Sequence, residues 1–506
     1  MMLLGVTLAA DALTLLCIGL ITVAIYRLTL HPLAHVPGPW IFCISSIPQW
    51  IIVFLGTEPQ TLAHYHHRYN TRVLRIAPNL VSISDPHALQ TIYVANGGFM
   101  KDARYRNFDV NGQPTIFSAI DKAYRDKRAK AVLPLFAPAR IREAVGTQDV
   151  QQYVQQFIAR LANEKSRAVQ STSYHVDILD LALRLSMDVM TGYMLDRPYG
   201  ALNEAVNLDT HSQPIKFSES AWLQAIAAFG YYSMLPNWLF SRILSLHVIV
   251  QDRYWGASMR RVDQFVRSIV GNSVKMGSST IAHTYHGRLR TAGATEDEVI
   301  GICEGSLFAG TSSTGQTLAT ILFHLVRQVH IRERLYQELA KSSSADIQSL
   351  PYLRSVVTEG LRLAMTNPAP LTRTIPEGGC HVDGMYLPGG VSVGASIYVL
   401  HHDSNAFPDP FAFSPERWLD NEIGCVMRDL CFLPFGLGSR SCIGRNLALY
   451  ELYEAVAGTV KSGVLEGANT CLEKIVVNGC FNGEVQGHAI DIYWPSEKSE
   501  SNKVCM

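Results

Sequence analysis

The stretch from about Thr295 to Gln328 does most to limit what this chain can fold into. Thr295 and Glu298 stand three residues apart ahead of an apolar run. That is the pattern of a capping box, in which each side chain satisfies an orphan donor at a helix start. About thirty helical residues at 1.5 Å each give about 50 Å, enough to cross a whole large domain. A helix of that length with apolar residues on several sides must run through an interior. At its middle lie Ala309, Gly310, Thr311, Ser312, Ser313, Thr314 and Gly315. Glycine costs about 1 kcal/mol in a helix, and hydroxyls compete for backbone hydrogen bonds. Such a run serves close packing of another helix, or it opens the helix locally so that a ligand lies against bare backbone. The hydroxyls favour the second reading.

The rest of the chain must build a body around that helix. At about 150 residues per domain, 506 residues suggest three domains. Yet no repeat, low-complexity tract or convincing linker interrupts the chain from residue 41 to about 490, which points to one large fold. Residues 123–145, 149–170, 176–195 and 258–271 read as helices. Strand-like alternation is confined to short pieces at 73–76, 80–84 and 391–400. Charged residues make up 17% against a usual 25% or so, which excludes disorder, coiled coils and fibres. Basic and acidic residues both total 43, with no basic run, so nucleic acid is not an expected partner. Ten cysteines without a CxxC pair exclude a disulfide scaffold and argue against a structural zinc cluster.

Residues 1–26 carry one charged side chain, Asp11, and can supply the roughly 20 apolar residues that a membrane crossing needs. A cleaved signal peptide would want a basic start and a small-residue cleavage site, and neither is present. Arg27, His31 and His35 follow the segment, so the positive-inside bias places the body on the cytoplasmic side. Residues 27–40, with Pro32, Pro37 and Pro39, form a stiff hinge that ends the anchor helix. Residues 41–495 form the body, and 496–506 a polar tail.

The chemistry points to one loop. Phe435, Gly436, Leu437, Gly438, Ser439, Arg440, Ser441, Cys442, Ile443 and Gly444 make a glycine-rich turn that presents a cysteine just ahead of a helix. A helix start stabilises negative charge, so Cys442 is placed to persist as a thiolate, with Arg440 as a fixed cation nearby. Small neighbours let a flat, bulky group approach the sulfur. A buried structural cysteine and a nucleophile are the rival readings, but no histidine stands nearby in sequence to serve as base.

Phe435, Gly438, Arg440, Cys442 and Gly444 match the FxxGxRxCxG signature, and the chain resembles the haem-thiolate enzymes called cytochromes P-450. Other motifs follow in the family's order. Glu359 and Arg362 match its ExxR, and Pro415, Glu416, Arg417 and Trp418 resemble its PERF-type motif. A second ExxR, Glu164 and Arg167, lies in a polar stretch outside that order. The resemblance implies that Arg417 joins Glu359 and Arg362 in a buried network behind the haem. Ala309 to Thr314 fall on the oxygen-activation motif A-G-x-D/E-T-T/S. Tyr124 and Arg128, in Tyr-x-x-x-Arg spacing, fall where the family's Trp or His and Arg meet a haem propionate. Arg373 resembles another propionate contact. The segment from Ile25 to Pro39 resembles membrane-anchored fungal enzymes of secondary metabolism. The fold implied is mainly α with small β-sheets: a long central helix over the haem and a cysteine-ligand loop, behind one transmembrane helix.

One departure stands out. The acid slot of the oxygen motif holds Ser312, and the threonine slot holds Ser313. Ser313 keeps a hydroxyl that can donate to bound dioxygen. Ser312 has no ionisable group, so protons must arrive by water or another residue. By resemblance, the expected cofactor is haem b with Cys442 as axial ligand and Arg440 among its contacts. Electrons are expected from NADPH through a separate reductase, because no dinucleotide fingerprint is present. The implied activity is insertion of one oxygen atom from O2 into a lipophilic small molecule, by hydroxylation, epoxidation or multistep oxidation. A terpenoid, polyketide or alkaloid pathway at the endoplasmic reticulum membrane is the implied setting. The aromatic stretches 222–223, 229–232 and 238–240 would roof the pocket and dip into lipid. Two alternatives stay open: a haem-thiolate isomerase or dehydratase that needs no NADPH, and a membrane-tethered binding protein without haem.

Overall fold

The computed structural model describes residues 2–144, 146–170, 174–204, 220–275, 281–342, 347–419 and 425–495, so the polar tail 496–506 lies outside the described residues. The central helix runs Glu296–Arg327, and its capping box forms as expected. Thr295 Oγ1 accepts from the Glu298 amide at 3.3 Å, and Glu298 Oε2 accepts from the Thr295 amide at 2.8 Å. The helix packs most extensively against Ile178–Leu195, which is buried over almost its whole length. Helices Asn237–Lys275, Arg445–Lys461 and Pro351–Leu363 cover much of the rest.

The expected opening at Ala309–Gly315 is absent: the helix is continuous there. Its glycines serve close packing instead. A Cβ on Gly310 would fall 2.3 Å from Met190 Sδ, and one on Gly315 would fall 2.9 Å from the Leu183 Cα. The hydroxyls fold back onto their own helix, Ser313 Oγ donating to the Ala309 carbonyl at 2.6 Å and Thr317 Oγ1 to the Ser313 carbonyl at 2.8 Å. Bonded that way, they need no break in the backbone.

Other boundaries also move. The helix expected over 123–145 is three pieces, Lys122–Val132, a tight turn Leu133–Phe136 and Pro138–Arg142, because Pro134 and Pro138 cannot continue a helix. Val176–Asp177 is a short strand, and Asp177 then caps Ile178–Leu195 by accepting from the Leu179 and Asp180 amides. The strand expected over 391–400 is Ser392–Ala395, followed by a helical turn Ile397–His401 that Ser396 caps. Residues 258–271 belong to a much longer helix, Asn237–Lys275.

The largest sheet has five strands in the order Val73–Ala77, Leu80–Ile83, Ser392–Ala395, Arg373–Thr374 and Met100–Lys101. Leu80–Ile83 runs parallel to Ser392–Ala395, and the other pairs are antiparallel. This sheet sets Lys101 directly opposite Arg373.

The anchor helix Met2–Ile25 continues through a wider helical turn, Tyr26–Leu30, rather than stopping at Tyr26. The apolar span is Ala10–Leu30, none of it buried against the body. The proline-rich segment is docked. Leu33 and Val36 are buried, and the buried Arg75 donates to the carbonyls of Arg27 at 2.8 Å and Leu33 at 3.3 Å. The chain passes so close at Gly38 that a Cβ would meet the Arg75 carbonyl oxygen at 2.2 Å.

Candidate active site

The cysteine loop is wound tightly. The Cys442 amide donates to the Phe435 carbonyl at 2.9 Å, and Gly436 and Gly438 take φ of 66° and 67°. At Gly438 a Cβ would also collide with the Tyr93 carbonyl oxygen at 1.9 Å, so only glycine fits. Helix Arg445–Lys461 starts directly behind. Burial pushes the Cys442 thiol above its ordinary pKa, against the pull of the Gly444 and Arg445 amides and the Arg445 charge. The helix start alone therefore does not secure the expected thiolate; a metal that binds only the deprotonated sulfur would. Although the thiol is surrounded by protein, the residue keeps solvent-accessible surface. On the otherwise enclosed central helix, Ala309 is exposed and Ser312 and Ser313 are half-buried, so this stretch also borders open space.

Beside the loop lies a cluster of cations. Arg440 donates to the carbonyls of Ala119 at 2.8 Å and Ile120 at 3.2 Å, and Arg373 to that of Thr372 at 2.9 Å. Lys101 sits over the rings of Tyr105 and Phe117, at 4.2 and 4.1 Å, and donates to the Phe117 carbonyl. Burial, then Arg373, Arg440 and Arg125, hold the Lys101 ammonium well below its ordinary pKa. Burial, then Arg125 and Arg373, bring Arg440 down to about 10. Among the described residues no carboxylate forms an ion pair with Lys101, Arg373 or Arg440. Like charges directly opposite in a sheet destabilise it, so Lys101 facing Arg373 is a cost that an anion would relieve. Arg125 pairs through Nη1 with Asp126 at 3.1 Å, but its buried Nε has no partner. An exposed soft thiol and a group of cations, of which Lys101, Arg373 and Arg440 have no carboxylate partner among the described residues, together suit a haem with its two carboxylates.

Two expected contacts belong elsewhere. The Arg128 guanidinium stacks on the Tyr124 ring at 3.4 Å, and its Nη2 pairs with Glu298 Oε1 at 2.5 Å. Tyr124 OH donates to the Pro114 carbonyl at 2.9 Å. With its charge met by Glu298 at the start of the central helix, Arg128 fastens two helices together. Arg125, absent from the sequence reading along with Lys101, takes the place at the cation cluster. The signal was there in weak form, since Arg125 stands between the two residues singled out.

Ser312, Ser313 and Thr314 do not share one face, because successive helical residues diverge by about 100°. Ser313 lies with Ala309, Thr314 is buried, and Ser312 opens on a separate cavity. That small cavity, partly open to solvent, also meets Asp180, Gln224, Gln316, Glu484 and His488.

The buried network forms as the resemblance implies. Glu359 accepts from Arg362 Nη2 and Nε at 2.8 and 2.9 Å, Arg417 Nε at 3.1 Å and Trp418 Nε1 at 2.9 Å. Burial works against its charge, but these partners prevail and hold its pKa below the ordinary carboxylate range. The other ExxR is no surface pair: Glu164 is buried too, and is met by Arg160 at 2.9 Å and Arg167 at 3.3 Å. The aromatic stretches expected to roof the site divide. Trp222 is buried edge-on to Phe308 and Phe240 is also buried, whereas Trp238 is exposed. A cluster that sequence reasoning missed, Tyr105, Phe108, Phe117 and Phe481, gathers near the cations, its closest rings 4.4 Å apart. Its members come from distant segments, which no local periodicity reveals.

The family profile described as Cytochrome P450 matches residues 37–461. Cytochrome P450 monooxygenase mfmF of Annulohypoxylon moriforme is 41% identical over 495 residues, covering 95% of this chain and 99% of that protein. Conidiogenone synthase PchP450 of Penicillium rubens is 27% identical over 473 residues, covering 90% and 92%. Among solved structures, a cytochrome P450DA mutant heme domain superposes with a TM-score of 0.66 over 86% of this chain and 92% of that one, at 16% identity, which is a likeness of fold.

Proposed function

This chain belongs to the cytochrome P450 family, and on that premise we propose that Cys442 would hold a haem b, with Arg373, Arg440, Lys101 and Arg125 to receive its carboxylates. The haem, when bound, supplies the oxygen-activating chemistry of a monooxygenase, the activity named for the relatives. Everything else is the work of this chain's residues. Arg440, fixed by two backbone carbonyls, and Arg373, fixed by the sheet, orient the group's anionic edge. The aromatic cluster and the wall of the central helix exclude water from a lipophilic substrate. Ser313, on the open face, offers a hydroxyl to the reacting oxygen. Tyr124 and Arg128 leave this set and act as structural residues.

Electrons come from NADPH through a separate reductase, and the apolar span Ala10–Leu30 holds the body at the cytoplasmic face of the endoplasmic reticulum membrane. The substrate is a lipophilic intermediate of secondary metabolism. A haem-free binding role does not fit a chain of this family, and relatives named as monooxygenases favour oxygen insertion over isomerisation.

The observation that carries this reading is an exposed Cys442 two residues from Arg440, a cation that, like Lys101 and Arg373, has no carboxylate partner among the described residues. The test is the difference spectrum of the reduced, carbon-monoxide-bound protein. The unchanged chain is expected to show the red-shifted Soret band of a thiolate complex, and Cys442→Ser to lose it. An unchanged spectrum in the variant would assign the ligand to another residue.

A further inference from the structure

Monooxygenation takes up two protons and two electrons for each oxygen atom inserted, the second atom leaving as water. Where the oxygen motif has an acid, this chain has Ser312. We propose that the cavity behind Ser312, with Glu484 and His488 at its solvent side, is the route by which those protons enter. This rests on the reading that Ser313, next to Ser312, faces the reacting oxygen.

The cavity is graded from outside to inside. His488 has a side chain 43% exposed, Glu484 is 13% exposed, and Ser312 lies at the wall formed by the central helix. Glu484 is held in place rather than free to swing. Tyr231 OH donates to its Oε2 at 2.8 Å, and His488 Nδ1 lies 3.2 Å from its Oε1. Gln316, one turn beyond Ser312 on the same helix face, and Gln224 add polar groups to the lining. Such a chamber can hold waters with several hydrogen-bond partners. The titratable and charged groups around Glu484 are Tyr231 and Cys480, His488 on its own turn, and Asp180 across the cavity. Asp180 is engaged by the buried Arg184 at 2.7 Å, which leaves Glu484 and His488 as the exchangeable pair.

Transfer here is a series of hops. A proton leaves His488 or Glu484 for a cavity water, and that water passes one of its own protons toward Ser312. A hydroxyl can both donate and accept, so Ser312 takes one proton as it gives up its own to a water on the Ser313 side of the helix. That water passes a proton on to the reacting oxygen. Each hop breaks one N–H or O–H bond and forms one O–H bond. No electrons travel this way, and bulk water restores the proton at the mouth.

Glu304 is the rival source. It lies on the same central helix, two turns before Ser312, and burial followed by the nearby Asp263 pushes its carboxyl up to about 7. However, it is bonded to Asn111 Nδ2 at 3.3 Å, on the side facing that loop.

The experiment compares Glu484→Gln, His488→Gln, Glu484→Asp and Glu304→Gln in the haem-loaded, full-length chain. NADPH-driven turnover with a reductase is read as product per NADPH, with hydrogen peroxide measured alongside. The same variants are driven by added hydrogen peroxide, which brings oxygen, electrons and protons together. Glu484→Gln and His488→Gln are expected to lose about fivefold or more of their NADPH-driven coupling, since a positioned proton donor is worth at least that. Peroxide-driven product should stay within about twofold of the unchanged enzyme, Glu484→Asp should regain coupling, and Glu304→Gln should remain coupled. A crystal structure of the haem-loaded protein should show ordered waters joining Glu484 to Ser312. The proposal is overturned by unchanged coupling in both Glu484→Gln and His488→Gln, by an equal loss under peroxide, by a dry cavity, or by uncoupling in Glu304→Gln alone. Failure of the underlying reading looks different: Ser313→Ala would then leave coupling intact whatever Glu484 does.

Discussion

On the proposed reading, the Ser313 hydroxyl has two jobs. At rest its Oγ donates to the Ala309 carbonyl at 2.6 Å, a carbonyl the helix backbone also uses. To donate to a reacting oxygen it must rotate away, and the helix loses little when it does. Removing a donor aimed at developing charge costs about 3 to 4 kcal/mol in well-ordered sites. Ser313→Ala is therefore expected to lower product per NADPH about tenfold or more, with peroxide taking up the difference. Thr314 cannot substitute readily, because it is buried on another face. Product per NADPH left unchanged would mean that Ser313 is only a helix residue. At this scale Cys442, Arg373 and Arg440 stood out in the sequence as candidates, since each sits in or beside a local motif. Lys101 and Arg125 escaped notice because their meaning arises only when strands and loops some 270 to 340 residues apart in the chain meet, as Lys101 and Arg373 do across the sheet. Tyr124 and Arg128 matched a spacing, but Glu298, 170 positions away, had already claimed the arginine.

Helices and strands were legible where periodicity and caps agree, and misleading where one local signal serves two structures. The capping box of Thr295 and Glu298 fixed the start of the central helix. The run of small and hydroxyl residues in its middle signals packing as well as opening, and here the neighbour Ile178–Leu195 comes close enough to need packing. Gly315 makes this testable. Alanine is a better helix former by about 1 kcal/mol, yet its Cβ would lie 2.9 Å from the backbone of Leu183. Overpacking of that kind costs about 1 to 3 kcal/mol. Gly315→Ala should therefore lower stability by up to about 2 kcal/mol in denaturant unfolding, whereas alanine at Gly271, where nothing lies within reach of a Cβ, should raise it. Equal behaviour of the two variants would deny the packing role. The Glu359 network belongs to the same scale. Buried and satisfied by two arginines, an indole and the Ser414 amide, it ties the Pro351–Leu363 helix to the turn at Pro415–Trp418.

For the molecule as a whole, the central question is how the body meets the membrane. Ala10–Leu30 is apolar enough to cross it, but the body also exposes apolar side chains. On helix Ile47–Phe54 the residues Ile47, Ile51 and Phe54 are exposed at helical spacing, and Phe54 lies 5.8 Å from the Tyr232 ring. Trp238, Leu246, Ile249 and Val250 stand exposed on the long helix that follows. Scattered apolar residues are ordinary on a surface, but two rows at helical spacing, one of them in ring contact with Tyr232 five residues before the other begins, offer apolar area that lipid can cover. The sequence pointed to aromatic residues around 229–240 and not to Ile47–Phe54, whose amphipathic face becomes exposed only because Gln49 and Val53 turn inward. Deleting residues 1–24 spares Arg27, whose carbonyl accepts from Arg75, so the body should keep its fold and its haem. The truncated chain is expected to float in part with phospholipid vesicles, and Ile51→Glu with Phe54→Glu in that background to release it into the soluble fraction. Both forms should retain the carbon-monoxide spectrum. A truncated chain that stays wholly soluble would leave Ala10–Leu30 as the sole attachment, and loss of the spectrum would show that the anchor also supports folding.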